Sequence, residues 1–566
     1  MPYFSLPLYV RTLIHLRPEQ ILYRGWYALR ARGPDRFKPD AKSLPKNPEW
    51  EPLKPKVPFI SYPWFKAADI AGRSFRFLND PHCFAGEIDW KIKEKNRLWR
   101  YNLHYFQYLH PEGGLEQKTA ISLIREWVKN NPPGSVDAWD PFPISLRIVN
   151  WIKYLSRSEK RMEESEEIIR SIYRQCLWLE RSLEYHVSAN HIFKNAKALV
   201  FSGLFYNGAD AGRWLSKGMQ LLDRELDEQI LADGGHFERS PMYHSMILED
   251  CLDLLNVYNA RTEWQLKKSS GRLRTAIRNM VQFLLGMTHP DGQIALFNDA
   301  AFGIEPQPAD LITYYENVSG EAATAQNGSA FAFPASGYFI INPGSGNRLL
   351  VDCGPIGPDY QAGHSHCDTL SFELSLKGRR VVADSGCFGY EQGPIRNYNR
   401  GNAGHNTLTI DAENQSEVWD SFRCARRARP LYGRLSKPSD GAIVFEGAHD
   451  GYRRLEGGPV HHRDIRWSNH AYLIQDRVEG KGRHQVESRL HIHPALDVDP
   501  SMREFLIRDK LDILARISSL NAQRIEKIDG WYCPEFGIKE KCVVLKIGPE
   551  SVTLPYAGGW QIKVED

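Results

Sequence analysis

The spacing of apolar residues divides this chain into two halves. Between about residue 96 and residue 290, apolar positions recur with the period of an α-helix, as in the stripe of Ile168, Ile172, Cys176 and Leu179. Loops rich in Gly, Asn, Asp and Pro separate such stripes at the spacing of helical hairpins. The pattern predicts antiparallel helix pairs arranged as a stack or a ring.

Near residue 330 the apolar period changes to two. Residues 369–376 alternate polar and apolar side chains, Lys377 and Gly378 supply a turn, and residues 380–384 supply a second strand. Further short strand-like runs continue to the C-terminus, as in a β-sandwich. Helices followed by strands predict an α+β chain of more than one domain, and the cleft between such domains is a preferred place for a ligand.

The first 75 residues differ from both halves. A helical start is followed by a proline-rich stretch that includes Pro34, Pro45 and Pro58, which predicts an arm wrapped on the larger body. The first 32 residues are rich in Arg and aromatic side chains, so a membrane surface is an alternative partner. We favour a helix that packs on its own protein.

The same N-terminal segment bears on localisation. No basic segment precedes its short apolar run, and no small-residue cleavage site follows that run. Nowhere do about 18 apolar residues occur without a charge, so no transmembrane helix is predicted. We therefore expect a cytoplasmic protein, and an association with the inner membrane surface is compatible with this expectation.

Composition narrows the functional classes. Of the 566 residues, 42% are hydrophobic and 25% are charged, which is typical of a folded protein and excludes disorder, collagen and coiled coil. The net charge of +3 is too small for a nucleic-acid-binding surface over the whole chain. The nine cysteines are scattered without a C-x-x-C pair, which argues against a disulfide framework and a cysteine-only zinc site. None of these features predicts an oligomeric state.

The densest polar cluster lies in the β half, at residues 363–368. If this segment is extended, His364 and His366 lie on one face of the sheet. Together with Asp384 and His405 they offer imidazole and carboxylate groups suited to Zn²⁺. The alternative is that each histidine only forms a hydrogen bond in a loop. For the group as a whole we favour metal binding.

Two more polar clusters lie in the helical half. Residues 233–244 form a glycine-containing loop that leads through Ser-Pro into a helix, where Glu238 and Arg239 are either functional groups or a structural ion pair. In the segment 188–195, the local pattern predicts that Asn190 is a helix N-cap and that His191 forms a hydrogen bond at the helix end.

Upstream segments concentrate aromatic side chains with Arg, Asn and His. This combination suits stacking on sugar rings and pairing with carboxylates, although aromatic core positions near helix ends give the same pattern. The candidate substrate-binding residues in these segments are Tyr101, Asn102, His104, Trp139 and Arg147.

Taken in order, these clusters resemble the heparinase II/III family of polysaccharide lyases. The matching segments are NHIFKNAKAL (190–199), DGGHFERSPMYH (233–244), GHSHCDTLSFEL (363–374), VADSG (382–386) and RNYNRGNAGHNTLTID (396–411). The resemblance implies an N-terminal incomplete (α/α) toroid followed by a C-terminal antiparallel β-sandwich. The domain boundaries expected from this resemblance are an N-terminal arm at residues 1–75, the toroid at 76–328 and the β-sandwich at 329–566.

The resemblance also implies β-elimination on an acidic polysaccharide or oligosaccharide that contains uronic acid. Asn190 matches the position that neutralises the uronate carboxylate, and His364 and Tyr243 match the base and acid positions. For one uronate epimer the resemblance also allows Tyr243 to do both jobs, so the division between the two depends on the stereochemistry of the substrate. By the same matching, His366, Asp384 and His405 hold a structural metal, Zn²⁺ rather than Ca²⁺. Glu238, Arg239 and Arg400 match positions that orient these groups.

Two other functions stay open from the sequence. A non-catalytic protein that binds or assembles cell-surface glycans would keep the fold without needing the acid and base pair. An inverting glycoside hydrolase would need two carboxylates across the bond, such as Asp140 with Asp233 or Glu238. The lack of an evident secretion signal favours a role beside cell-surface polysaccharide synthesis or on imported oligosaccharides over extracellular scavenging.

Overall fold

A computed structural model describes residues 6–32, 44–157, 165–261 and 264–565 of the chain. Helices occupy the N-terminal half and antiparallel strands occupy the C-terminal half, which confirms the α+β prediction. Part of the proline-rich connector, including Pro34 and Pro39, lies outside the described residues. None of the helices in the described ranges is both long enough and apolar enough to cross a bilayer.

The N-terminal half is built from helices with one small hairpin. The hairpin strands are β1 (Ser74–Phe77) and β2 (Asp80–Cys83). The helices are α1 (Leu6–Leu13), α2 (Pro18–Arg32), α3 (Ala67–Ala71), α4 (Arg97–Tyr105), α5 (Gln117–Asn130), α6 (Pro141–Leu155), α7 (Glu166–Glu180), α8 (Ala189–Phe205), α9 (Ala209–Gln229), α10 (Pro241–Asn259), α11 (Trp264–Gly286) and α12 (Pro308–Ser319).

Helix α10 lies at the centre of the helical half and is buried on all sides over almost its whole length. Its start is encoded locally, because Ser240 caps the helix by accepting a hydrogen bond from the Tyr243 backbone N–H and Pro241 occupies the first turn. Complete burial requires its charged residues to be paired. Asp253 accordingly lies 2.5 Å from the Nζ atoms of both Lys153 and Lys197.

The C-terminal half contains two antiparallel sheets and one helix, α13 (Pro394–Arg400). One sheet has the order β11-β12-β13-β14-β21-β18-β17-β16 and the other β19-β20-β15-β7-β6-β5-β4-β3, with β8 also paired to β15. The strands are β3 (Ala330–Phe333), β4 (Tyr338–Gly344), β5 (Asn347–Asp352), β6 (Phe372–Leu376), β7 (Arg379–Val382), β8 (Leu408–Ile410), β9 (Val418–Trp419), β10 (Arg423–Cys424), β11 (Pro430–Ser436), β12 (Ile443–His449), β13 (Val460–Ser468), β14 (Ala471–Glu479), β15 (Arg483–Ile492), β16 (Asp497–Ser501), β17 (Glu504–Asp509), β18 (Asp512–Ser519), β19 (Ile525–Tyr532), β20 (Glu540–Thr553) and β21 (Tyr556–Val564). Strands β9 and β10 form a separate pair.

The hairpin predicted near residues 369–384 is confirmed as β6 and β7, and Lys377 and Gly378 both have positive φ in its turn. The alternating pattern of β6 does not produce a solvated face, however, since all five of its residues are buried. The polar face packs against the helical half, where Glu373 Oε2 lies 2.9 Å from His289 Nε2. The β-sheet therefore meets the helices through a buried polar layer.

The N-terminal helices lie against both halves. The Arg11 guanidinium pairs with Glu417 and the Trp419 indole donates a hydrogen bond to Thr12, both in the β half. In α2, the Tyr27 hydroxyl donates to the Leu183 carbonyl of the helical half. The two helices and the turn between them also expose apolar side chains, namely Leu6, Val10, Leu13, Ile14, Ile21, Leu22, Trp26 and Leu29.

Candidate active site

A cleft with a cavity volume of about 1360 Å³ lies between the two halves. Its walls come from α2, α4, α6, α8 and α10 on one side and from the loops around residues 361–364, 390–391, 421–423 and 535–536 on the other. Six of the residues singled out from the sequence line this cleft. They are Tyr101, Asn102, Asn190, His191, Tyr243 and His364.

His364 and His366 lie in a loop, not on a strand, so the expectation that they share a sheet face is wrong. They are brought together by a residue that the sequence analysis missed, Asp299. One oxygen of the Asp299 carboxylate is 2.9 Å from His364 Nδ1 and the other is 2.8 Å from His366 Nε2. A buried carboxylate, not strand geometry, therefore sets the orientation of both rings.

An ion pair with Arg396 keeps the Asp299 carboxylate negatively charged. Both residues are fully buried, and the Arg396 guanidinium contacts both carboxylate oxygens. Burial by itself raises the pKa of Asp299, but Arg396 and its hydrogen bonds more than offset this, so the pKa lies well below its usual range. An ionised carboxylate only accepts hydrogen bonds, so His364 Nδ1 carries a proton, and Nε2 is the ring nitrogen that is not bonded to Asp299.

Tyr243 lies beside His364 in the first turn of α10. The two ring centroids are 4.2 Å apart, and the Tyr243 hydroxyl is 2.8 Å from the hydroxyl of Tyr390. Burial, followed by the nearby Glu238 carboxylate, raises the pKa of Tyr243 well above its usual range. The Tyr243 hydroxyl therefore keeps its proton at neutral pH and is suited to donate it.

Asn190 lies in the first turn of α8, but it is not the N-cap that the sequence suggested, because Ser188 precedes the helix at that position. The Asn190 Nδ2 group instead donates a hydrogen bond to Glu238 Oε1 at 2.9 Å. The second oxygen of Glu238 is 3.9 Å from His364 Nε2. Glu238 thus links the amide and the imidazole across the site.

The other residues expected to orient the site hold the backbone around it. The Arg239 guanidinium donates to the carbonyls of Phe237 and Ser336 instead of pairing with its neighbour Glu238. Arg400 donates to the carbonyl of Ser365, between the two loop histidines, at 3.2 Å.

At the rim of the cleft, the candidate sugar-binding groups have protein partners of their own. The Tyr101 hydroxyl donates to Asp140 at 2.6 Å, and His191 Nδ1 is 3.0 Å from Glu184. The Asn102 amide donates to the carbonyl of Leu98 one turn earlier. Their surfaces that face the cleft are the parts able to meet a ligand.

Three predicted substrate-binding residues lie elsewhere. Arg147 is fully buried, with its guanidinium 3.8 Å from the Trp127 ring centre and hydrogen-bonded to Gln175. His104 accepts a hydrogen bond from the Trp127 indole, and the Trp139 indole donates to a backbone carbonyl. The expectation that His104, Trp139 and Arg147 contact a sugar is wrong, because they form the core of the helical half.

A second group of buried polar residues lies behind His364. Potential ligand atoms of His366, Asp368 and His405 all lie within 4.8 Å of one another. Asp384, which was expected to complete this group, instead has its Oδ2 atom 2.7 Å from His405 Nδ1. The geometry therefore places Asp368 beside the two histidines and makes Asp384 the partner that orients His405.

The donor set fits a zinc ion. His366 Nδ1 and His405 Nε2 are buried ring nitrogens without a hydrogen-bond partner among the described residues. Burial lowers the pKa of His366 to about 3, so this ring is neutral and able to bind a metal. Burial also raises the pKa of Asp384 to about 6 in spite of His405, and a cation next to this group would offset that cost.

Comparison with known proteins agrees with this layout. The family description "Heparinase II/III N-terminus" matches residues 67–318, and "Heparinase II/III-like, C-terminal" matches residues 325–557. The chain belongs to the heparinase II/III family. This confirms the resemblance to a family of polysaccharide lyases.

Two curated lyases are similar to this chain at low sequence identity. A heparin-sulfate lyase of Pedobacter heparinus is 25% identical over 509 residues, which are 81% of this chain and 73% of that protein. A heparin-sulfate lyase of Bacteroides stercoris is 21% identical over 448 residues, which are 69% of this chain but only 63% of that protein. The chain thus spans less than two thirds of the Bacteroides relative.

The crystal structure of a heparinase III superposes with a TM-score of 0.69 at 18% identity and covers 92% of this chain and 88% of its own. At 18% identity, this structural similarity establishes the fold of the chain and not its activity. The predicted order of a helical toroid and a β-sandwich is therefore confirmed.

Four residues of the site were missed from the sequence. Asp299 and Arg396 form the buried pair behind His364, Tyr390 contacts the Tyr243 hydroxyl, and Glu305 lines the cleft. Arg396 stands at the start of the segment RNYNRGNAGHN, so the sequence offered a signal for it. Asp299 lies in the long segment between α11 and α12, far from the histidines in sequence, and only the folded chain brings it to them.

The charge of the cleft is balanced. Seven cationic and seven carboxylate side chains line its walls. The cations are Arg24, Arg76, Arg97, Lys153, Lys194, Lys197 and Arg423, and the carboxylates are Asp140, Glu184, Glu249, Asp250, Glu305, Glu391 and Glu535. Twelve aromatic side chains also line the cleft, which suits a ligand with sugar rings.

Proposed function

We propose that this chain is a polysaccharide lyase that cleaves a uronic-acid-containing glycan by β-elimination. The observation that carries the proposal is the convergence of Asn190, Tyr243 and His364 on one cleft, with the Tyr243 and His364 rings 4.2 Å apart. One of these groups is a proton donor and another has a free lone pair. Elimination needs both.

The reaction removes the proton on C5 of the uronate and breaks the bond between C4 and its oxygen O4. The Asn190 amide interacts with the uronate carboxylate and reduces its charge, which makes the C5 proton more acidic. His364 Nε2 accepts that proton, the C5–H electron pair becomes the C4–C5 double bond, and the C4–O4 electron pair leaves with O4. Tyr243 donates its proton to O4.

The positioning residues keep these roles distinct. Asp299 fixes His364 with the proton on Nδ1, so that Nε2 faces the cleft as a base. A metal held by His366, Asp368 and His405, most simply Zn²⁺, would stabilise the loop that carries His364.

The arrangement gives less support to a glycoside hydrolase. Asp233 does not line the cleft and accepts hydrogen bonds from Ser336. Glu238 is engaged by Asn190, and Asp140 by Tyr101 and Arg97. A hydrolase would also leave the juxtaposition of Tyr243 and His364 without a role.

The experiment that tests the proposal is a screen of the purified protein against uronate polysaccharides. Heparosan, heparan sulfate, heparin, hyaluronan, chondroitin, alginate and bacterial exopolysaccharides are incubated with the protein. Ultraviolet absorbance from the unsaturated uronate is followed, and reducing ends are counted in parallel. We expect both signals to rise together on at least one polymer.

The two readouts separate the alternatives. Reducing ends without absorbance would indicate hydrolysis and would contradict elimination. Binding of a glycan without either signal would favour the glycan-binding role, again against the proposal.

A further inference from the structure

Exposed apolar side chains are concentrated in the first two helices. Fourteen large apolar side chains are exposed among the described residues, and eight of them lie between residues 6 and 29. We call these eight the N-terminal apolar surface, which consists of Leu6, Val10, Leu13, Ile14, Ile21, Leu22, Trp26 and Leu29. Single exposed apolar residues are ordinary, whereas a cluster of them marks a contact surface.

In α1, the side chains of this surface recur at the helical period. They lie at Leu6 and then four, seven and eight positions after it, which places them on one side of the helix. The opposite side of α1 contacts the β half, where Arg11 pairs with Glu417. The aliphatic side of α1 therefore faces away from the protein.

The second helix is oriented in the same way. In α2, the Gln20 amide donates a hydrogen bond to the Tyr360 carbonyl. One side of the helix further along, the Tyr27 hydroxyl donates to the Leu183 carbonyl. The polar and aromatic side of α2 thus faces the protein, and its aliphatic side is exposed. A helix that only covered its own protein would turn the aliphatic side inwards.

The exposed sides of the two helices adjoin each other. Residues 14–17 alone separate α1 from α2, and four residues span at most about 14 Å. Ile14, in this short connection, is itself exposed. The two helices therefore present one continuous apolar stretch.

The segment that carries this surface is cationic. Residues 1–32 contain five arginines and one acidic residue, Glu19, although the net charge of the whole chain is only +3. Two of these arginines have carboxylate partners on the protein. Arg24 forms no ion pair among the described residues, and Arg30 donates to a backbone carbonyl and a serine hydroxyl. Arginines beside an exposed aliphatic helix face are typical of helices that lie on anionic lipid.

Charge also distinguishes a membrane from a second copy of the chain. A symmetric dimer through this surface would bring two cationic segments together, and like charges at short range repel each other. An anionic bilayer supplies the opposite charge and accepts aliphatic side chains at its acyl boundary. None of the helices in the described ranges can cross a bilayer, so the contact is with the membrane surface.

We propose that the N-terminal apolar surface docks this protein on a bilayer that contains anionic lipids. Helices α1 and α2 lie in the plane of the interface, with their aliphatic side chains at the acyl boundary and the cationic groups of the segment near the lipid phosphates. Arg24 of α2 also lines the cleft, so docking holds the cleft beside the bilayer. This interaction goes beyond the lyase function and does not depend on it.

The experiment measures how the purified full-length protein partitions onto vesicles in a co-sedimentation assay. One set of vesicles is phosphatidylcholine alone, and the other contains phosphatidylcholine and phosphatidylglycerol in equal parts. At low salt we expect binding to the anionic vesicles to exceed binding to the neutral ones by about tenfold or more. Binding to the anionic vesicles should weaken as salt is added, because salt screens the attraction.

A double variant tests the apolar side chains. Leu22→Gln combined with Leu29→Gln is expected to reduce partition onto the anionic vesicles by about tenfold or more, because two exposed leucines no longer enter the acyl boundary. The matched control combines Met502→Gln with Leu511→Gln, which changes two exposed apolar side chains of the β half. The control should bind as the wild type does. Both variants should keep the wild-type melting temperature, since all four side chains are exposed.

Several outcomes would contradict docking on an anionic bilayer. No binding of the wild type to either vesicle, or an equal loss of binding in the control variant, would overturn the proposal. Equal binding to the two vesicles would exclude the role of charge and with it the anionic bilayer. Sedimentation velocity without vesicles tests the second copy. A wild-type dimer that the changes at Leu22 and Leu29 convert into a monomer would identify an interface between copies instead of a membrane surface.

Discussion

The rings of Tyr243 and His364 are in contact, but their surroundings favour opposite roles in proton transfer, donor for Tyr243 and acceptor for His364. Burial raises the pKa of Tyr243, so its hydroxyl keeps its proton, while the hydrogen bond from His364 Nδ1 to Asp299 leaves Nε2 as the nitrogen that can accept a proton. Two groups in contact can therefore act as acid and base without exchanging roles. In the proposed mechanism, this division is set by Asp299, Arg396 and Glu238.

Removal of the Tyr243 hydroxyl tests this assignment of acid and base roles. In Tyr243→Phe we expect kcat to fall by about 10²–10⁴-fold, because the leaving oxygen loses its proton donor. The melting temperature should change little, since the one hydrogen bond of this hydroxyl within the described part of the chain is to the hydroxyl of Tyr390. Turnover is followed by ultraviolet absorbance and folding by thermal unfolding.

The control is Tyr258→Phe, which removes a hydroxyl from the same helix far from the cleft. It should retain full activity. Wild-type turnover in Tyr243→Phe would exclude the tyrosine as the acid.

The metal group offers a second prediction at the level of single residues. If Asp368 binds the metal directly and Asp384 acts through His405, Asp368→Asn should abolish metal binding, whereas Asp384→Asn should weaken it by about 10–100-fold. Metal content of purified variants is measured by elemental analysis during titration with a chelator. The reverse order of the two variants would restore Asp384 as the direct ligand.

At the scale of elements, the close crossing of α8 and α9 positions the helix that carries Asn190. A Cβ atom at Gly203 of α8 would lie only 2.6 Å from the backbone nitrogen of Leu215 in α9. The absence of a side chain at Gly203 is thus what allows the two helices to approach. Gly218 has the same role at the other end of the crossing, against Val200.

Replacement of Gly203 should therefore separate the two helices. We expect Gly203→Ala to lower the free energy of unfolding by about 1–3 kcal/mol, because the extra methyl group overlaps backbone atoms. Denaturant unfolding gives the difference. The counterpart is Gly212→Ala on α9, where no atom lies within 4 Å of the new Cβ and alanine should stabilise the helix by about 0.5–1 kcal/mol. Equal effects of both variants would contradict the close crossing.

At the scale of the whole molecule, buried ion pairs couple folding to pH. Asp253 lies between the ammonium groups of Lys153 and Lys197. Burial by itself would raise the pKa of Asp253, but the two lysines more than offset this and lower it to about 2. The folded pKa is below the unfolded value, so the resulting stability is present above about pH 4 and is lost as the pH falls towards 2.

A variant isolates this contribution. Asp253→Asn should lower the free energy of unfolding by about 3–5 kcal/mol at pH 7, because it removes the carboxylate shared by Lys153 and Lys197 and leaves their buried group with one excess positive charge. The difference from the wild type should narrow as the pH is lowered from 4 towards 2, measured by denaturant unfolding at each pH. With the exposed Glu112→Gln as control, a difference that stays constant with pH would refute the assignment.

Much of the architecture could be predicted from local patterns. The helical period over residues 96–290, the hairpin at β6 and β7 and the Ser-Pro start of α10 depend on neighbours in sequence, and each appears in the structure. The motif segments also brought Asn190, Tyr243 and His364 into one hypothesis. Local periodicity and short motifs carry this information because they reflect backbone geometry.

The errors share a cause as well. His104, Trp139 and Arg147 have the composition of a sugar-binding surface, and a buried aromatic layer has the same composition. Whether an aromatic or an arginine side chain faces solvent depends on which helices cover it. The sequence pattern of one segment does not include those neighbours.

The sequence by itself determined the order of helices and strands, the family, and the three groups proposed to react, because these follow from periodicity and motifs. Only the tertiary structure decided that Asp299 and Arg396 stand behind His364, that Asp368 lies with His366 and His405, and that cationic and carboxylate side chains balance along the cleft. The reason is physical, since the pKa values and pairing of charged groups depend on burial and on partners that are distant along the chain.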